Sequence, residues 1–338
     1  MTYPETDAQG RVGLSGSHSD VGAVVIGRNE GKRLVRALTA LEGQITRVIY
    51  VDSGSTDGSV AAATAAGAEV IGLDLSYPFT AARARNAGFE ALEQDDMPAF
   101  VQFIDGDCEI QPGWIDVART FLQAHPGIAV VFGRLRERYP DATVYNQLCD
   151  REWDVPVGAC KSSGGIFLAR STAMRQVEGF NSTLIAGEEP ELCVRLRAAG
   201  WEIWCIDAEM ALHDAAMTRL GQWWARTRRA GHAAAEGMAM HGDKPERHRV
   251  REVRRSLAWG LVLPLTILMG LVATPWALLG VLAYPLQILR LALRDGGGKP
   301  AWAHAFFLTL AKLPETQGIL GYWAGRVSGK RQGLIEYK

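Results

Sequence analysis

The 338-residue sequence predicts an α/β fold whose sheet is flanked by helices, followed by membrane-associated helices at the C-terminal end. Three observations predict it. Short β-branched runs alternate with helical patterns, several strands end in acidic or polar loops, and a long uncharged apolar stretch follows a basic segment. Alternation of this kind favours a mostly parallel sheet covered by helices.

The first third of the chain carries the regular alternation. Apolar runs predict strands at 21–26, 47–51, 69–73 and 99–104, and the intervening patterns predict helices at 32–41, 60–66 and 80–92. The middle continues with helices at 112–124 and 190–199 and strands at 128–133, 166–169 and 202–206. Loops at the carboxyl ends of parallel strands are where ligands bind in such folds.

The strand at 99–104 ends in Asp105-Gly106-Asp107. Two carboxylates this close repel each other, and a shared divalent cation is the usual remedy. The glycine lets the backbone turn sharply and lets a bulky polyanion approach. The alternative interpretation is an acidic turn with no ligand.

Polar residues also follow other predicted strands. Asn29 and Glu30 follow the first strand, and Asp52, Ser53 and Asp57 follow the second. Asp52 suits hydrogen bonds to a base or a ribose, whereas Asp57 or Ser55 equally suits a helix N-cap.

Arg85 and Asn86 lie early in the predicted helix 80–92. The helix dipole disfavours a cation there, so Arg85 indicates a nearby phosphate or carboxylate, or else a solvated face. Glu188 and Glu189 precede Pro190 at a helix N-terminus, where the dipole keeps carboxylates ionised, as a general base requires. They equally suit simple compensation of the dipole. His213 follows a strand and can complete a metal site, although a structural histidine is more common.

The composition excludes several classes. A net charge of −1 gives no reason to expect a nucleic-acid partner. Five scattered cysteines without C-x-x-C spacing indicate reduced thiols rather than disulfides or a zinc site. The first twenty residues lack the features of a signal peptide. The absence of G-x-G-x-x-G after the first strand, and of a P-loop motif, disfavours dinucleotide binding and P-loop chemistry.

Five motifs together resemble family-2 glycosyltransferases in content and order. They are 24–30 (VVIGRNE), 51–58 (VDSGSTDG), 84–88 (ARNAG), 105–107 (DGD) and 187–189 (GEE). The resemblance covers about residues 20–230. It implies a GT-A fold with a Rossmann-like mixed sheet, a nucleotide-sugar donor and inversion at the anomeric carbon.

The resemblance also implies site residues. Asp52 corresponds to the residue that reads the base, Asp105 to the carboxylate near the ribose and diphosphate, and Asp107 to the ligand of Mg²⁺ or Mn²⁺. His213 corresponds to a histidine that approaches the metal. Glu189 stands where the family has the Asp of a Glu-Asp pair, the catalytic base, so Glu188 and Glu191 remain alternatives. The remaining predicted donor-binding residues are Asn29, Glu30, Ser53, Asp57, Arg85, Asn86 and Gly106.

The C-terminal third predicts membrane contact. Two apolar runs, 257–272 and 276–289, are each shorter than the ~20 residues of a straight span. Two short spans, a re-entrant hairpin, an interfacial pair and a buried hairpin of a soluble protein remain open. Arginines flank both runs, which indicates cytoplasmic ends by the positive-inside rule. The run 301–313 and the basic residues beyond it suit a helix on an anionic leaflet.

The sequence therefore predicts an inverting, metal-dependent glycosyltransferase on the cytoplasmic face of the inner membrane, acting on a lipid-linked or other cell-envelope glycan. The alternatives are a sugar nucleotidyltransferase and an inactive membrane-bound scaffold. The predicted segments are a flexible tail (1–20), a catalytic domain (21–235), a basic linker (236–255), a membrane-embedded hairpin (256–293) and an amphipathic interfacial segment (294–338).

Overall fold

The computed structural model describes residues 18–94 and 96–329. The predicted tail lies outside the described residues except for positions 18–20, which begin the first strand. The chain divides into two compact units. The first runs to Pro140 and adds Cys149–Leu184 and Glu188–Ala215, while the second holds Asp141–Leu148, Ile185–Gly187 and Ala216 onward.

The first unit is a mixed sheet with flanking helices. Its strands are β1 (His18–Gly27), β2 (Ile45–Asp52), β3 (Glu69–Gly72), β4 (Phe100–Asp105), β5 (Cys108–Ile110), β6 (Ile128–Glu137), β7 (Gly158–Ala159), β8 (Phe167–Arg170) and β9 (Glu202–His213). Its helices are α1 (Lys32–Thr39), α2 (Ser59–Ala65), α3 (Ala81–Glu93), α4 (Trp114–Ala124), the end of α5 (Val144–Glu152), α6 (Ser171–Gln176) and α7 (Glu188–Ala198).

The strand order is β3-β2-β1-β4-β8-β6-β9-β5, with β7 also paired to β9. The pairs among β1 to β4 are parallel, as the alternation predicts. In the other half β6 pairs parallel with β9, whereas β8 runs antiparallel to β4 and β6, and β5 and β7 run antiparallel to β9. The mixed sheet that the resemblance implies is thereby confirmed.

Central strand β1 is buried because both of its faces are covered. Val24 and Val25 are fully buried, which explains the continuous apolar run in place of an alternating one. Helix α3 approaches the sheet closely at Gly88, where an added Cβ would lie 2.4 Å from Val24 and 3.1 Å from Val51. Close packing here fixes Arg85, one helical turn earlier, against the sheet.

The second unit is helical. It contains the start of α5, α8 (Leu220–His241), α9 (Val250–Leu257), a π-helical turn (Ala258–Val262), α10 (Leu263–Ala273), a 3₁₀ segment (Pro275–Leu282), α11 (Ala283–Arg294), α12 (Lys299–Leu310) and α13 (Lys312–Ser328). The predicted linker 236–255 is occupied largely by α8 and α9. The predicted catalytic segment 21–235 extends past the first unit into α8.

Helices α8 and α13 cross at two glycines. A Cβ on Gly231 would lie 2.1 Å from the carbonyl oxygen of Glu315, and a Cβ on Gly318 would lie 2.0 Å from that of Arg228. Only glycine permits this approach of two helix backbones. Helix α13, part of the predicted interfacial segment, therefore packs within the second unit.

Two helices are long and apolar enough to cross a membrane: Val250–Ala273 has 24 residues and Pro275–Arg294 has 20. The first exceeds the run read from the sequence because α9, the π turn and α10 are continuous. In each, only 6% of the most apolar window is buried, whereas a core helix of a soluble protein is mostly buried.

Candidate active site

The predicted donor-binding loops meet at one edge of the parallel strands. Asp52 ends β2 beside Gly27 of β1, and Asp105 ends β4 beside Ile26 on the other side of β1. Adjacent strands are about 4.8 Å apart, so the two aspartates flank β1 at roughly 10 Å. The amide of Gly106 donates to the carbonyl of Ile26 at 2.8 Å, which holds the Asp-Gly-Asp turn against β1.

Asn29 ties the loops after β1 and β2 together. Its amide N–H donates to Ser55 Oγ (2.9 Å), and its Oδ1 accepts from the Thr56 amide (2.8 Å). Its φ of 57° is a left-handed conformation that asparagine tolerates better than most residues. Neighbouring Glu30 forms an ion pair with Arg33 at 2.7 Å. Both residues thus have a structural part in these loops.

Asp52 is buried and closes an Asx turn. Its Oδ2 accepts from the amides of Gly54 (3.0 Å) and Ser55 (2.9 Å), and its Oδ1 accepts from the Tyr50 hydroxyl (3.1 Å). Ser53, also buried, donates its amide to Gly27. These bonds fix the carboxylate in one orientation before any ligand arrives.

Asp57 lies further along the same loop. It accepts from the Ser59 amide at 2.9 Å, and hydrogen bonds from Ser59 lower the pKa of its carboxyl group. The N-cap of α2 is Gly58, so the N-cap prediction for Asp57 or Ser55 is wrong, although Asp57 accepts from the first residue of the helix.

Asp107, Cys108 and His213 form the second part of the site. Strand β5 pairs antiparallel with the end of β9 in a register that sets Cys108 opposite His213. The pairing brings His213 Nε2 within 3.4 Å of Asp107 Oδ1, and one donor atom from each of the three residues lies within 4.8 Å of the others. Trp153 contacts the His213 ring edge to face, with centroids 4.6 Å apart.

This donor set fits a divalent cation. Two ligand atoms each about 2.1 Å from one ion are separated by about 3.0–3.4 Å, which the Asp107–His213 distance matches. Nδ1 of His213 is buried without a hydrogen-bond partner among the described residues. Carboxylate and imidazole suit Mn²⁺, and a thiolate favours softer ions.

Arg85 joins the two acidic motifs. Its guanidinium is 2% exposed and donates to Glu188 Oε1 and to Asp105 Oδ1, each at 2.7 Å, and to the carbonyl of Gly165 at 3.3 Å. Burial by itself would lower the pKa of Arg85, but the charges of Asp105 and Glu188 outweigh it and the pKa is raised. The partner-carboxylate interpretation of this arginine is correct, and the solvated-face interpretation is wrong.

Glu189 is buried and has other hydrogen-bond partners. Its Oε1 accepts from the Ser163 amide (2.5 Å), from Ser163 Oγ (2.8 Å) and from the Cys193 thiol (3.0 Å). Oε2 accepts no hydrogen bond from the described residues. Burial raises the pKa of Glu189, against the opposing effect of these hydrogen bonds.

The remaining candidates have other partners. Glu191 is buried and forms an ion pair with Arg195 at 2.8 Å, so the three glutamates at the start of α7 have three different partners. Asn86 exchanges two hydrogen bonds with the backbone of Phe180, at 2.7 and 2.8 Å. It therefore anchors the turn before α7.

Three side chains of the site were not predicted. Ser163 lies among the small residues 162–165, which suit either room for a ligand or a tight turn, and nothing local in the sequence links it to Glu189. Cys193 was detectable because it follows Glu189 by four residues on one helix face. Cys108 directly follows Asp107, but the counterpart that completes the cluster comes from β9.

Comparison with known proteins identifies relatives of this chain. Residues 23–173 match the family described as Glycosyl transferase family 2. A protein named Pre-mycofactocin glycosyltransferase, from Mycobacterium tuberculosis, is 32% identical over 241 residues, which cover 68% of this chain and 49% of that protein. The chain thus spans about half the length of this curated relative.

Two solved structures share the fold. The mannosyltransferase PcManGT from Pyrobaculum calidifontis, in complex with GDP-Man and Mn²⁺, has a TM-score of 0.55 at 16% identity and covers 94% of this chain and 91% of its own. S. aureus TarS 1-349 has a TM-score of 0.50 at 14% identity, over 94% of this chain and 95% of its own. Identities this low establish the shared GT-A fold and nothing about substrates.

Proposed function

Through residues 23–173 the chain belongs to glycosyl transferase family 2, and from this premise we propose that it transfers a sugar from a nucleotide-sugar donor to an acceptor hydroxyl with inversion. The supporting observation is the meeting of Asp52, Asp105 and Asp107 at one sheet edge, with His213 delivered by β9. That edge is where open α/β sheets bind nucleotides.

Each motif has a separate part in donor binding. Asp52, held by its Asx turn, accepts hydrogen bonds from the base, and Asp105, whose side chain is 37% exposed, accepts from the sugar nucleotide. Asn29, Glu30, Ser53 and Asp57 shape the loops that carry Asp52. Gly106 permits close approach, because a Cβ there would lie 3.2 Å from the Ile26 carbonyl.

Asp107 and His213 would hold Mg²⁺ or Mn²⁺, which, when bound, would supply positive charge to the leaving diphosphate. Arg85 fixes Asp105 and Glu188 in place through its two 2.7 Å ion pairs. Asn86 orients the turn that leads into α7.

Glu189 is the proposed general base. Its Oε1 is held by Ser163 and Cys193, so Oε2 remains to accept the proton of the acceptor hydroxyl. A pKa raised by burial brings the carboxylate closer to neutral pH, where a general base works best. Glu188 and Glu191 are weaker candidates because each carboxylate is engaged by an arginine.

The acceptor is proposed to be lipid-linked, or another cell-envelope glycan, reached from the cytoplasmic face of the inner membrane. The support is the pair of apolar helices and their arginine flanks. The M. tuberculosis relative is named for pre-mycofactocin, which therefore belongs in the acceptor panel.

The test is nucleotide release by the full chain in detergent, with Mn²⁺ and a panel of UDP- and GDP-sugars that begins with GDP-mannose. We expect release that depends on metal and on Asp107, and a product of inverted anomeric configuration by NMR. If the wild-type chain binds no nucleotide sugar with metal present, the proposal fails. Formation of a nucleotide sugar from a sugar phosphate would instead identify a nucleotidyltransferase.

A further inference from the structure

The segment from the π-helical turn through α11 forms a helical hairpin that carries no charge as far as Leu289 and packs on α13 at Gly260, where an added Cβ would lie 2.1 Å from the Lys312 carbonyl. Within the π turn, α10 and the 3₁₀ segment no residue is buried. Leu268, Met269, Val272, Trp276 and Leu286 are each more than 60% exposed. From Ser256 to Leu289 there is no charged residue.

The base of the hairpin is packed against protein. Val250, Val253 and Ser256 are buried, and Val253 belongs to a cluster with Ala235 of α8 and Ile319 of α13. In the returning helix, Ala292 is fully buried. The part of the hairpin that is not packed against protein, and can contact lipid, therefore begins near Trp259 and ends before Ala292.

Charged and aromatic residues mark one level around this base. The Trp259 and Tyr284 rings lie 5.9 Å apart, and the Tyr284 hydroxyl donates to the Trp259 carbonyl at 2.8 Å. The two arms of the hairpin are antiparallel. Exposed Arg254 and Arg255, which precede Trp259, therefore lie at about the same depth along the hairpin as exposed Arg290, which follows Tyr284. An aromatic level next to a cationic level is the pattern of a membrane interface with anionic lipid.

The backbone amides of the turn at the tip of the hairpin are hydrogen-bonded within the protein. Thr274 donates its amide to Gly270 (2.9 Å), Ala277 donates to the Thr274 carbonyl (3.2 Å), and Trp276 donates to Thr274 Oγ1 (3.4 Å). Pro275 has no N–H to satisfy. A turn whose amides are paired internally can remain inside hydrocarbon, where an unpaired polar group is costly.

The arms are short. From Trp259 to Ala273 an α-helix rises about 21 Å, against a hydrocarbon core of about 30 Å. The two arms pack closely against each other at small residues. A Cβ on Gly270 would lie 2.8 Å from Ala277, and one on Gly280 would lie 2.7 Å from Ile267. The arms therefore end inside the bilayer.

We infer that this hairpin is a re-entrant anchor in an anionic phospholipid bilayer, entering and leaving through one leaflet with its tip in the hydrocarbon. The inference rests on the proposed membrane association and is independent of glycosyl transfer. It places the ends of the hairpin on the same side as the second unit from which they emerge.

The test uses the full chain bound to sealed vesicles of phosphatidylcholine and phosphatidylglycerol, with the protein added from outside. Val272→Cys and Thr274→Cys are made in a Cys160→Ser background, because the other four cysteines are buried. We expect both cysteines to resist a membrane-impermeant maleimide supplied on either side. A fluorophore at either position is then quenched most by lipids brominated deep in the acyl chain.

Three results overturn the inference. Labelling by maleimide trapped inside the vesicles means that the hairpin spans the bilayer. Protection of the cysteines without lipid, together with a dimer in solution, means that a second copy covers it. If the protein does not float with the vesicles, it does not bind this membrane, and the inference fails. Nucleotide release in detergent tests the proposed function separately.

A second experiment tests the contribution of Arg254 and Arg255 to membrane binding. Replacing Arg254 and Arg255 with Gln is expected to lower partitioning onto anionic vesicles about 25-fold, because each basic residue at the surface contributes about fivefold. Arg228→Gln on α8, also exposed, is the control and should change it less than twofold. Equal effects of the control and the double variant contradict the assignment of Arg254 and Arg255 to the interface.

Discussion

Replacement of Arg85 by Met tests whether the buried ion-pair cluster holds the first unit together. The substitution keeps an unbranched chain of similar length but leaves Glu188, whose side chain is 13% exposed, beside Asp105 without its cation. Removing one partner of a buried pair costs about 3–5 kcal/mol. Asp105 is 37% exposed and keeps part of its solvation, so the lower end, about 3 kcal/mol, is expected.

For a domain of about 200 residues this free energy corresponds to a fall of roughly 6–12 °C in the unfolding temperature. The measurement is thermal unfolding of the full chain in detergent, followed by near-ultraviolet circular dichroism. The matched control is Arg175→Met, which breaks an ion pair with Glu93 whose side chains are 49% and 32% exposed. Its expected cost is below about 1 kcal/mol.

The double variant Arg85→Met, Glu188→Gln completes the test. Because the substituted amide carries no charge, it should recover part of the loss seen for Arg85→Met alone. If Arg85→Met and Arg175→Met lower the unfolding temperature equally, the buried cluster contributes no more than a surface pair, and the reasoning is refuted.

Further predictions concern the base, the metal and the helix crossing. Glu189→Gln should retain donor binding and lose about 10²–10⁴-fold in kcat, and near-normal turnover would move the base elsewhere. Burial raises the pKa of Glu189 in the folded state, so the wild-type protein should lose stability as pH rises through that pKa. The Glu189→Gln variant lacks this titration, and its unfolding temperature relative to wild type should therefore increase with pH. Asp107→Ala should abolish Mn²⁺ binding in calorimetry while the circular dichroism spectrum stays unchanged; unaltered affinity would exclude Asp107 as a ligand. Gly231→Ala should destabilise the second unit by about 1–3 kcal/mol, because its Cβ would lie 2.1 Å from the Glu315 carbonyl, whereas Gly221→Ala on the same helix meets nothing within 4 Å and should be neutral or stabilising. Equal unfolding temperatures of these two variants would contradict the close crossing.

The strand–helix alternation was readable because it depends on local periodicity. Each apolar run between Val21 and Asp105 corresponds to a strand, and each strand end corresponds to a polar loop. The second half of the sheet was less readable. Strands β5 and β7 have three and two residues, too few for a periodic signal, and their direction depends on which distant strand they pair with.

The sequence by itself determined the fold class, the order of the acidic motifs and the apolar C-terminal hairpin, because each is a pattern over neighbouring residues. Tertiary structure alone decided which carboxylates share a partner. Arg85 meets Glu188 across 103 positions, Ser163 meets Glu189 across 26, and Asp107 meets His213 through the register of β5 on β9. Burial and the exact partners of a side chain come from packing between distant segments, which local periodicity does not encode.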